Sequence, residues 1–387
     1  MPVPVRGISL GDNSSSSDSG KETVTPRADL AMSSRAKGGK RKAFLGLHAF
    51  ATEGLTKLED FVDMDDLPEL LMVYDKSNIT NRSAHGPQRE PLIYRRAYPK
   101  ALSKSTNPRR GFLFLDHENE IASGRRSTVH RAPLVATLGP RGEPRKRVAV
   151  AVKTAKDDCR SHHLLRQEAK GYAAFPREFV TPCKPVPAGA PLRTPVPAMR
   201  PRGAFPGWGA AMRPKSPEPA EMDPPIAPKF YGFYVPIGPN GESLVQCHSS
   251  CKDFANSDCH VPHWAKSILL MEDCGEPIDP ATMPYKHREQ CFDLVQRMHR
   301  QGFSHGHPHP RNMLVQPGPL SLPPPLRSMA SPSFRLVSFG RWRALSHPLP
   351  KESQLGAKRA FEKGREIDVC VAMDELRVGH SDSSDDD

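Results

Sequence analysis

Long apolar runs are missing from this sequence of 387 residues. Its uninterrupted apolar stretches reach about five residues, whereas a membrane-spanning helix needs about 20. Residues 1–20 are polar and rich in serine, and they lack the apolar segment of a secretory signal. We therefore expect neither a membrane protein nor a secreted one, but an intracellular protein, cytoplasmic or nuclear.

Cysteine is scarce as well, and acidic residues are fewer than basic ones. Without a secretory signal, the 8 Cys indicate reduced thiols rather than a disulfide framework. The formal net charge is +12, but the basic residues are spread along the chain apart from short clusters at residues 37–42 and 145–147. Such clusters are usually solvated surface, so we do not expect a nucleic-acid partner.

Composition also predicts the organisation of the chain. With 42 Pro, 28 Gly and 37% hydrophobic residues, the sequence allows one substantial core with long uncovered segments. We expect residues 1–40 to be disordered and residues 41–110 to form a partly helical N-terminal extension. Residues 346–387 are expected to form a C-terminal helix followed by an acidic, disordered tail.

Two proline-rich insertions, residues 176–228 and 316–333, are expected within a folded region of residues 111–345. Proline removes an amide donor and fixes φ, so neither insertion suits the interior of a helix or sheet. We interpret them as solvated loops. Alternatively, polyproline II segments in the first insertion bind a protein partner.

Residues 305–312, with the sequence His-Gly-His-Pro-His-Pro-Arg-Asn, carry the most informative motif. Their spacing is that of a phosphotransferase catalytic loop, H-[RG]-D-x-x-x-x-N. In that loop the Asp accepts the proton of the attacking hydroxyl and the Asn holds a magnesium ion. Here His307 stands at the Asp position and Asn312 at the Asn position. Downstream, Ser338 replaces the metal-binding Asp of a D-F-G motif.

Upstream segments fit the same pattern. Residues 147–153 form a short β-branched run that ends in Lys153, and a buried ammonium needs partners. Glu168 lies on a helical pattern that follows, where the kinase pattern carries the glutamate that pairs with this lysine. Gly124 stands at the middle glycine of a G-x-G-x-x-G-x-V loop, where backbone amides approach phosphates.

Taken in order over residues 112–345, these features resemble the protein-kinase-like superfamily, and in detail a divergent branch of the kind common in fungi. The catalytic loop is also similar to that of small-molecule phosphotransferases. The resemblance implies an α+β, bilobal kinase-like fold with a β-rich, five-stranded N-lobe and a reduced, mainly helical C-lobe, plus long disordered segments.

The same resemblance implies a set of ligand-binding residues. ATP would be held by Gly124, Lys153, Glu168 and the backbone of Glu272 and Cys274, which would face the adenine edge. A magnesium ion would be held by Asn312, weakly or not at all, because the hydroxyl of Ser338 supplies no charge.

The two replacements argue against catalysis. His307 keeps a base, but losing a general base typically costs about 10² to 10⁴ in rate, and losing the carboxylate at position 338 removes tight Mg²⁺ binding. We therefore predict a pseudokinase that acts as a nucleotide-binding or scaffold module. Two alternatives are a weakly active ATP-dependent phosphotransferase, acting on protein Ser/Thr or small-molecule hydroxyls, and a non-functional truncated duplicate.

Two other metal sites are conceivable from spacing alone. Cys247, Cys251, Cys259 and His263 have spacings compatible with tetrahedral zinc, but they do not match a standard zinc finger. The alternating His305, His307 and His309 are a weaker candidate, because the intervening prolines restrict the backbone.

Overall fold

Strands dominate the structure, a computed structural model that describes residues 47–81, 90–100, 107–140, 142–183, 223–245, 265–345 and 351–379. All of these residues belong to one compact unit. The helices are α1 Cys159–Ala174, α2 Tyr285–Arg300 and α3 Lys351–Leu376. The strands are β1 Leu70–Asp75, β2 Leu92–Tyr98, β3 Arg110–Leu115, β4 Glu120–Ser123, β5 Ser127–Ala136, β6 Lys146–Ala155, β7 Phe230–Pro236, β8 Ile268–Met271, β9 Glu276–Pro277, β10 Phe303–Ser304, β11 Met313–Gly318, β12 Ser328–Leu336 and β13 Arg343–Ala344.

Seven strands close into a barrel in the order β3-β1-β2-β7-β8-β6-β5. The closing contact pairs β3 with β5, where Phe112 lies opposite Val135 and Leu113 lies opposite Leu134. Strands β1 and β3 run parallel, and the other neighbouring pairs of the barrel are antiparallel. Because β4 continues along the same edge of β5, the barrel leaves little strand edge unpaired there.

Side-chain alternation along β6 separates two cores. Val148, Val150 and Val152 belong to the cluster that fills the barrel. Ala151 and Ala155 belong to the second cluster, which lies outside the barrel wall. Successive residues of a strand point to opposite faces, so Lys153 shares the outer face with these two alanines. The lysine therefore faces the elements that pack on the barrel.

Helix α1 packs on this outer face. Asp158 caps it by accepting a hydrogen bond from the amide of Ser161 at 2.8 Å, which satisfies one of the free donors of the first turn. Leu165, Glu168 and Tyr172 recur on its buried side at spacings of three and four. The helix ends before Pro176, which disfavours helical φ and ψ in the preceding residue.

The second core joins α1 to the elements that follow the barrel. Its apolar residues come from α2 and α3 and from β12, among them Leu294, Met298, Leu376 and Leu336. Aromatic rings connect the parts: Phe339 lies edge-on to Tyr172 at 5.2 Å and to Phe175 at 4.8 Å between ring centroids. This packing fixes the position of the chain next to Ser338.

The expected bilobal kinase-like fold, with a β-rich N-lobe and a reduced, mainly helical C-lobe, is wrong. The strands close into a seven-stranded mixed barrel instead of a five-stranded lobe. After β8, the described residues contain two helices together with five strands, β9 to β13. The cause is non-local: β1 and β2 join the sheet, and the parallel pairing of β1 with β3 helps to close it.

Individual elements were predicted better than their assembly. The β-branched run at residues 147–153 is strand β6, and the helical pattern that carries Glu168 is helix α1, so both predictions are confirmed. Residues 41–110 were expected to form a partly helical extension, but their described part contains strands β1 and β2, and Lys57 bridges to Ala149. The solvated loop expected at residues 316–333 differs from the structure at both ends, since residues 316–318 belong to β11 and residues 328–333 to β12, and these strands pair.

Several predictions concern residues that the structure does not describe. Residues 1–40, most of the proline-rich segment 176–228 and the acidic tail lie outside the described residues. The same is true of Cys247, Cys251, Cys259 and His263, the candidate zinc ligands. Within the described ranges, no helix combines the length and apolar character that crossing a membrane requires.

We expect Leu113→Ala to weaken the barrel where it closes. Leu113 is fully buried at the β3–β5 contact, and truncating such a side chain leaves a cavity that costs about 2–5 kcal/mol. Urea denaturation measures the change in unfolding free energy. Ile93→Ala is the control, since Ile93 on β2 is 37% exposed and should lose less than about 1 kcal/mol. Equal losses in the two variants would contradict barrel closure at this contact.

Candidate functional site

Lys153 and Glu168 meet as the sequence predicts. The ammonium of Lys153 lies 3.1 Å from Glu168 Oε1 and 2.8 Å from Oε2, and both residues are buried. The same ammonium also donates a hydrogen bond to Ser338 Oγ at 3.1 Å. An ammonium has three N–H donors, so these three contacts account for all of them.

Ser338 occupies a special backbone position just after β12. Its φ is +70°, in the left-handed region that most residues avoid and that Asp and Asn tolerate best. The neighbouring Phe339 is fully buried among aromatic rings, so the loop cannot relax without losing that packing. The result is a hydroxyl held beside the Lys153 ammonium.

The loop after α2 is fixed by a buried carboxylate on α3. Asp368 accepts hydrogen bonds from the amides of His305 at 2.7 Å and Gly306 at 2.9 Å. Its Oδ2 also lies 3.2 Å from Nε2 of His299, at the end of α2. One fully buried side chain therefore connects α2, the loop and α3.

Gly306 is required where it stands. Its φ is +78°, and an added Cβ would lie 2.7 Å from the carbonyl oxygen of Arg341. Only glycine adopts this φ without strain and has no Cβ to clash with that oxygen. The same segment of the chain that carries Ser338 therefore packs directly on the loop that carries His307.

His305 serves the structure of this loop. Its Nε2 lies 2.9 Å from the Val337 carbonyl and so donates to it, while Nδ1 accepts from the amide of His307 at 3.1 Å. Burial is the largest effect on this imidazole and lowers its pKa to about 4. With both nitrogens engaged in the neutral form, His305 has no lone pair left for a metal ion.

His307 belongs to a chain of three polar side chains. Its Nδ1 lies 3.0 Å from Nε2 of His309, and Nδ1 of His309 lies 2.6 Å from Oε1 of Glu375 on α3. Burial, followed by the charge of Arg341, lowers the pKa of His307. His307 is therefore neutral at pH 7 and has a second ring nitrogen, Nε2, beyond this chain.

The residues at the predicted metal position do not fit a magnesium ion. Ser338 Oγ accepts a hydrogen bond from a cationic ammonium, whereas Mg²⁺ selects anionic oxygen ligands. Asn312 donates its amide to the carbonyl of His307 at 2.8 Å, so its side chain supports the loop. Among the described residues, no three His, Cys, Asp or Glu side chains are grouped as a metal site.

Gly124, Glu272 and Cys274, the other residues expected to bind a nucleotide, make contacts within the chain. The amide of Gly124 donates to Ser127 O at 2.8 Å, and an added Cβ would meet only that oxygen, at 3.7 Å. The Glu272 carboxylate is buried and accepts from the amide of Lys229 at 3.0 Å. The Cys274 thiol is buried, which raises its pKa, and it donates to the Glu272 carbonyl at 3.7 Å.

The structure thus assembles two groups of the predicted residues. Lys153, Glu168 and Ser338 are in direct contact, and so are His307 and Asn312. Sequence reasoning missed Asp368 and Glu375. A signal for Asp368 was available, because it lies on the buried side of α3 in register with three apolar residues, Phe361, Ala372 and Leu376.

Comparison with known proteins does not show to which family the chain belongs. No protein-family model matches the chain, and no curated protein matches it. The local geometry must therefore carry the functional argument.

We expect Glu168→Gln to be strongly destabilising. The substitution leaves the buried Lys153 ammonium without a counter-charge, and breaking one partner of a buried ion pair costs about 3–5 kcal/mol. Chemical denaturation gives the unfolding free energy. The matched control is Glu362→Gln, which breaks an exposed ion pair with Lys358 on α3 and should cost less than about 1 kcal/mol. A small loss at Glu168 would show that this pair is not needed for the fold.

Acidification should destabilise the protein through His305. Its pKa is about 4 in the folded state, against about 6.5 unfolded. As pH falls from 6.5 to 4, only the unfolded chain takes up this proton, so the unfolding free energy falls by roughly 3 kcal/mol. Above pH 6.5 the group has no effect.

Denaturation in urea at a series of pH values measures this dependence. In His305→Asn, which cannot titrate, the slope of the unfolding free energy against pH should decrease between pH 4 and 6.5. The decrease should correspond to about one proton, or about 1.4 kcal/mol per pH unit. His162, whose pKa burial also lowers to about 4, provides a parallel test on α1. An unchanged slope in His305→Asn would contradict the assigned neutral, doubly hydrogen-bonded ring.

Proposed function

We propose that the chain is a binding module of the protein-kinase-like kind that is impaired in phosphoryl transfer, a pseudokinase in function. The barrel gives no support from overall architecture, and function is argued from the site rather than the fold. The observation that carries the proposal is the engagement of all three Lys153 donors by Glu168 and Ser338.

Phosphoryl transfer requires positioned phosphates and neutralisation of their charge. A lysine that serves this purpose keeps a donor for the phosphates while it pairs with the helix glutamate. Here the donor that would face a phosphate is bound to Ser338 Oγ at 3.1 Å. A nucleotide must displace this hydroxyl, and the charge-assisted hydrogen bond that it loses contributes about 1.5–3 kcal/mol.

Metal binding is impaired by the same contact. With a hydroxyl in place of a carboxylate, position 338 supplies no negative charge to hold Mg²⁺ beside the phosphates. The hydroxyl is moreover polarised by a cation at 3.1 Å, which makes it a poorer ligand. The Lys153–Glu168 pair then stabilises the contact between the barrel wall and α1 rather than a nucleotide.

A protein is the partner that this function requires. The segment proposed to bind it, residues 176–228, is supported by its proline content and by the suitability of polyproline II segments for recognition. Nucleotide binding remains part of the proposal as a weak, metal-independent interaction with Lys153.

A weakly active ATP-dependent phosphotransferase is the second candidate. The observation that favours it is the contact of His307 with His309, which in turn contacts Glu375. This arrangement supplies a base at the position of the missing Asp. In the first candidate, the lack of negative charge at Ser338 prevents phosphoryl transfer. In the second, transfer still occurs slowly, with His307 as the base.

Titration with a non-hydrolysable ATP analogue, with and without Mg²⁺, tests the proposal. We expect Mg²⁺ to add nothing to the melting temperature of the wild-type protein. Ser338→Asp should gain a Mg²⁺-dependent increase, because Asp suits the positive φ and supplies the missing charge. A ligand at 100 times its Kd stabilises the folded state by about 2.7 kcal/mol, which a melting curve resolves.

Ser331→Asp is the matched control. It places the same charge at an exposed position of β12, away from Lys153, and should not change the response to Mg²⁺. Turnover of Mg-ATP by the wild-type protein that disappears in His307→Ala would contradict the proposal in favour of the second candidate.

A further inference from the structure

The hairpin of β11 and β12 is almost free of charge. Residues 312–334 contain one charged side chain, Arg327, although Asp, Glu, Lys and Arg make up 25% of the whole chain. The guanidinium of Arg327 adds no net charge to the surface, because it pairs with both carboxylate oxygens of Glu59, at 2.6 Å and 2.7 Å. The outer part of the hairpin is therefore a neutral area on a protein whose formal net charge is +12.

Large apolar side chains are exposed on this neutral area. Leu326 is 67% exposed, Met329 53% and Leu322 39%. One such residue alone is ordinary on a protein surface, but these three lie close together in the sequence of one hairpin. The cores of protein interfaces have the same character, since charged residues are depleted there and Met is enriched. We call these three residues the hairpin patch.

The chain around the hairpin patch is held in one conformation. Besides its contact with Glu59, Arg327 donates to the carbonyl of Leu322 at 2.7 Å and to that of Leu320 at 3.4 Å. Residues Pro324–Leu326 form a short 3-10 helix. A loop that is already ordered loses less conformational entropy when it binds. The hairpin patch is thus preorganised for a contact.

A purely structural explanation would have the hairpin only clamp the N-terminal segment through the pair of Arg327 and Glu59. That clamp explains the guanidinium, whose side chain is largely buried. It requires neither apolar side chains that face solvent nor the absence of charge from residues 319–331. Exposed surface usually carries charged residues of both signs, so the composition of the hairpin needs a second explanation.

Two other modes of recognition fit the hairpin less well. Addition of a strand to the edge of β12 is opposed by Pro332, which has no amide donor, and by the irregular register of the two strands between Gln316 and Gly318. Recognition as a polyproline II segment is opposed by the 3-10 helix at Pro324–Leu326. The contact should therefore form between apolar side chains.

We propose that the hairpin patch is a self-association surface, on which a second copy of this chain packs the same three side chains about a two-fold axis. Two copies with a charge of +12 repel each other, and the repulsion is smallest where areas without charge meet. A two-fold contact places the same patch on both sides, so each copy covers the apolar residues of the other. An acidic partner would instead bind basic surface. The proposal is independent of the proposed function, since it involves neither Lys153 nor the loop at His307.

The size of the surface predicts a weak dimer. A stable interface of standard size buries about 800 Å² and about 20–30 residues on each partner. The outer part of the hairpin, residues 319–331, is roughly half as large by residue number. We therefore expect a dissociation constant of roughly 10–100 μM.

Sedimentation velocity of the full chain from about 1 to 500 μM brackets this constant. We expect the wild-type protein to pass from monomer to dimer. Leu326→Lys should weaken the association at least about tenfold, because it removes an apolar anchor and brings like charges together. Leu326→Gln adds no charge and should weaken it through the lost apolar contact alone. The matched control is Ile121→Lys on β4, where a single apolar residue is 38% exposed; it should leave the association unchanged.

Salt dependence distinguishes an apolar contact from an ionic one. Raising the salt from about 0.05 M to 0.5 M screens the repulsion between the two basic copies, so association through the hairpin patch should become tighter. A dimer held by ion pairs should become weaker instead. Melting curves of each variant at a concentration where all are monomeric check that the fold is retained.

Methyl NMR of the methionine side chains locates the contact. The methyl signal of Met329 should shift as the protein concentration rises through the dissociation constant. The control signal is that of Met373, which is 37% exposed on α3 and should keep its position.

Four results would overturn the proposal. They are a wild-type protein that is monomeric at every concentration, association that is equally strong in Leu326→Lys, association that salt weakens, and a Met329 signal that does not move while the dimer forms. The first result would leave another protein as the occupant of the patch, and the other three would place the contact elsewhere on the chain.

Discussion

A buried carboxylate, Asp368, is the constraint on which the candidate site depends. It lies inside the second core with no solvent exposure, and a charge in such a place must be matched by donors. Two loop amides and the ring of His299 match it. Loop, α2 and α3 therefore keep one relative position, and with it the distance from His307 to Glu375 is fixed.

The barrel imposes the second constraint, because successive side chains of a strand point alternately into the barrel and out of it. Because Val148, Val150 and Val152 fill the interior, Lys153 is forced to the outer wall, and its ammonium must find a counter-charge there. Glu168 on α1 supplies it. Phe339 packs against Tyr172 of the same helix, so the position of Ser338 is linked to the position of Glu168. The ion pair and the loop are thus parts of one packed arrangement.

The resemblance of motifs was sufficient to predict this ion pair, and it was misleading for the fold. The kinase-like pattern pairs the lysine at the end of a β-branched run with a glutamate on the following helix, so Lys153 and Glu168 were predicted together. Barrel closure depends on pairing β1 with β3 in parallel across an intervening strand, for which strand periodicity carries no signal. Asp368 and Glu375 reach the loop from more than 60 residues away, so no local motif contains them.

His307 and Ser338, the two positions that the proposed function compares with the acids of a kinase-like site, lie in different surroundings. The ring of His307 contacts His309, which connects it to the carboxylate of Glu375. At position 338 the hydroxyl is bound to an ammonium, and nothing in that contact replaces a negative charge. Glu168 already neutralises Lys153, so the pair attracts neither a metal cation nor a phosphate strongly. In the proposed function, the missing negative charge at Ser338 is therefore the main obstacle to holding a metal ion beside phosphates.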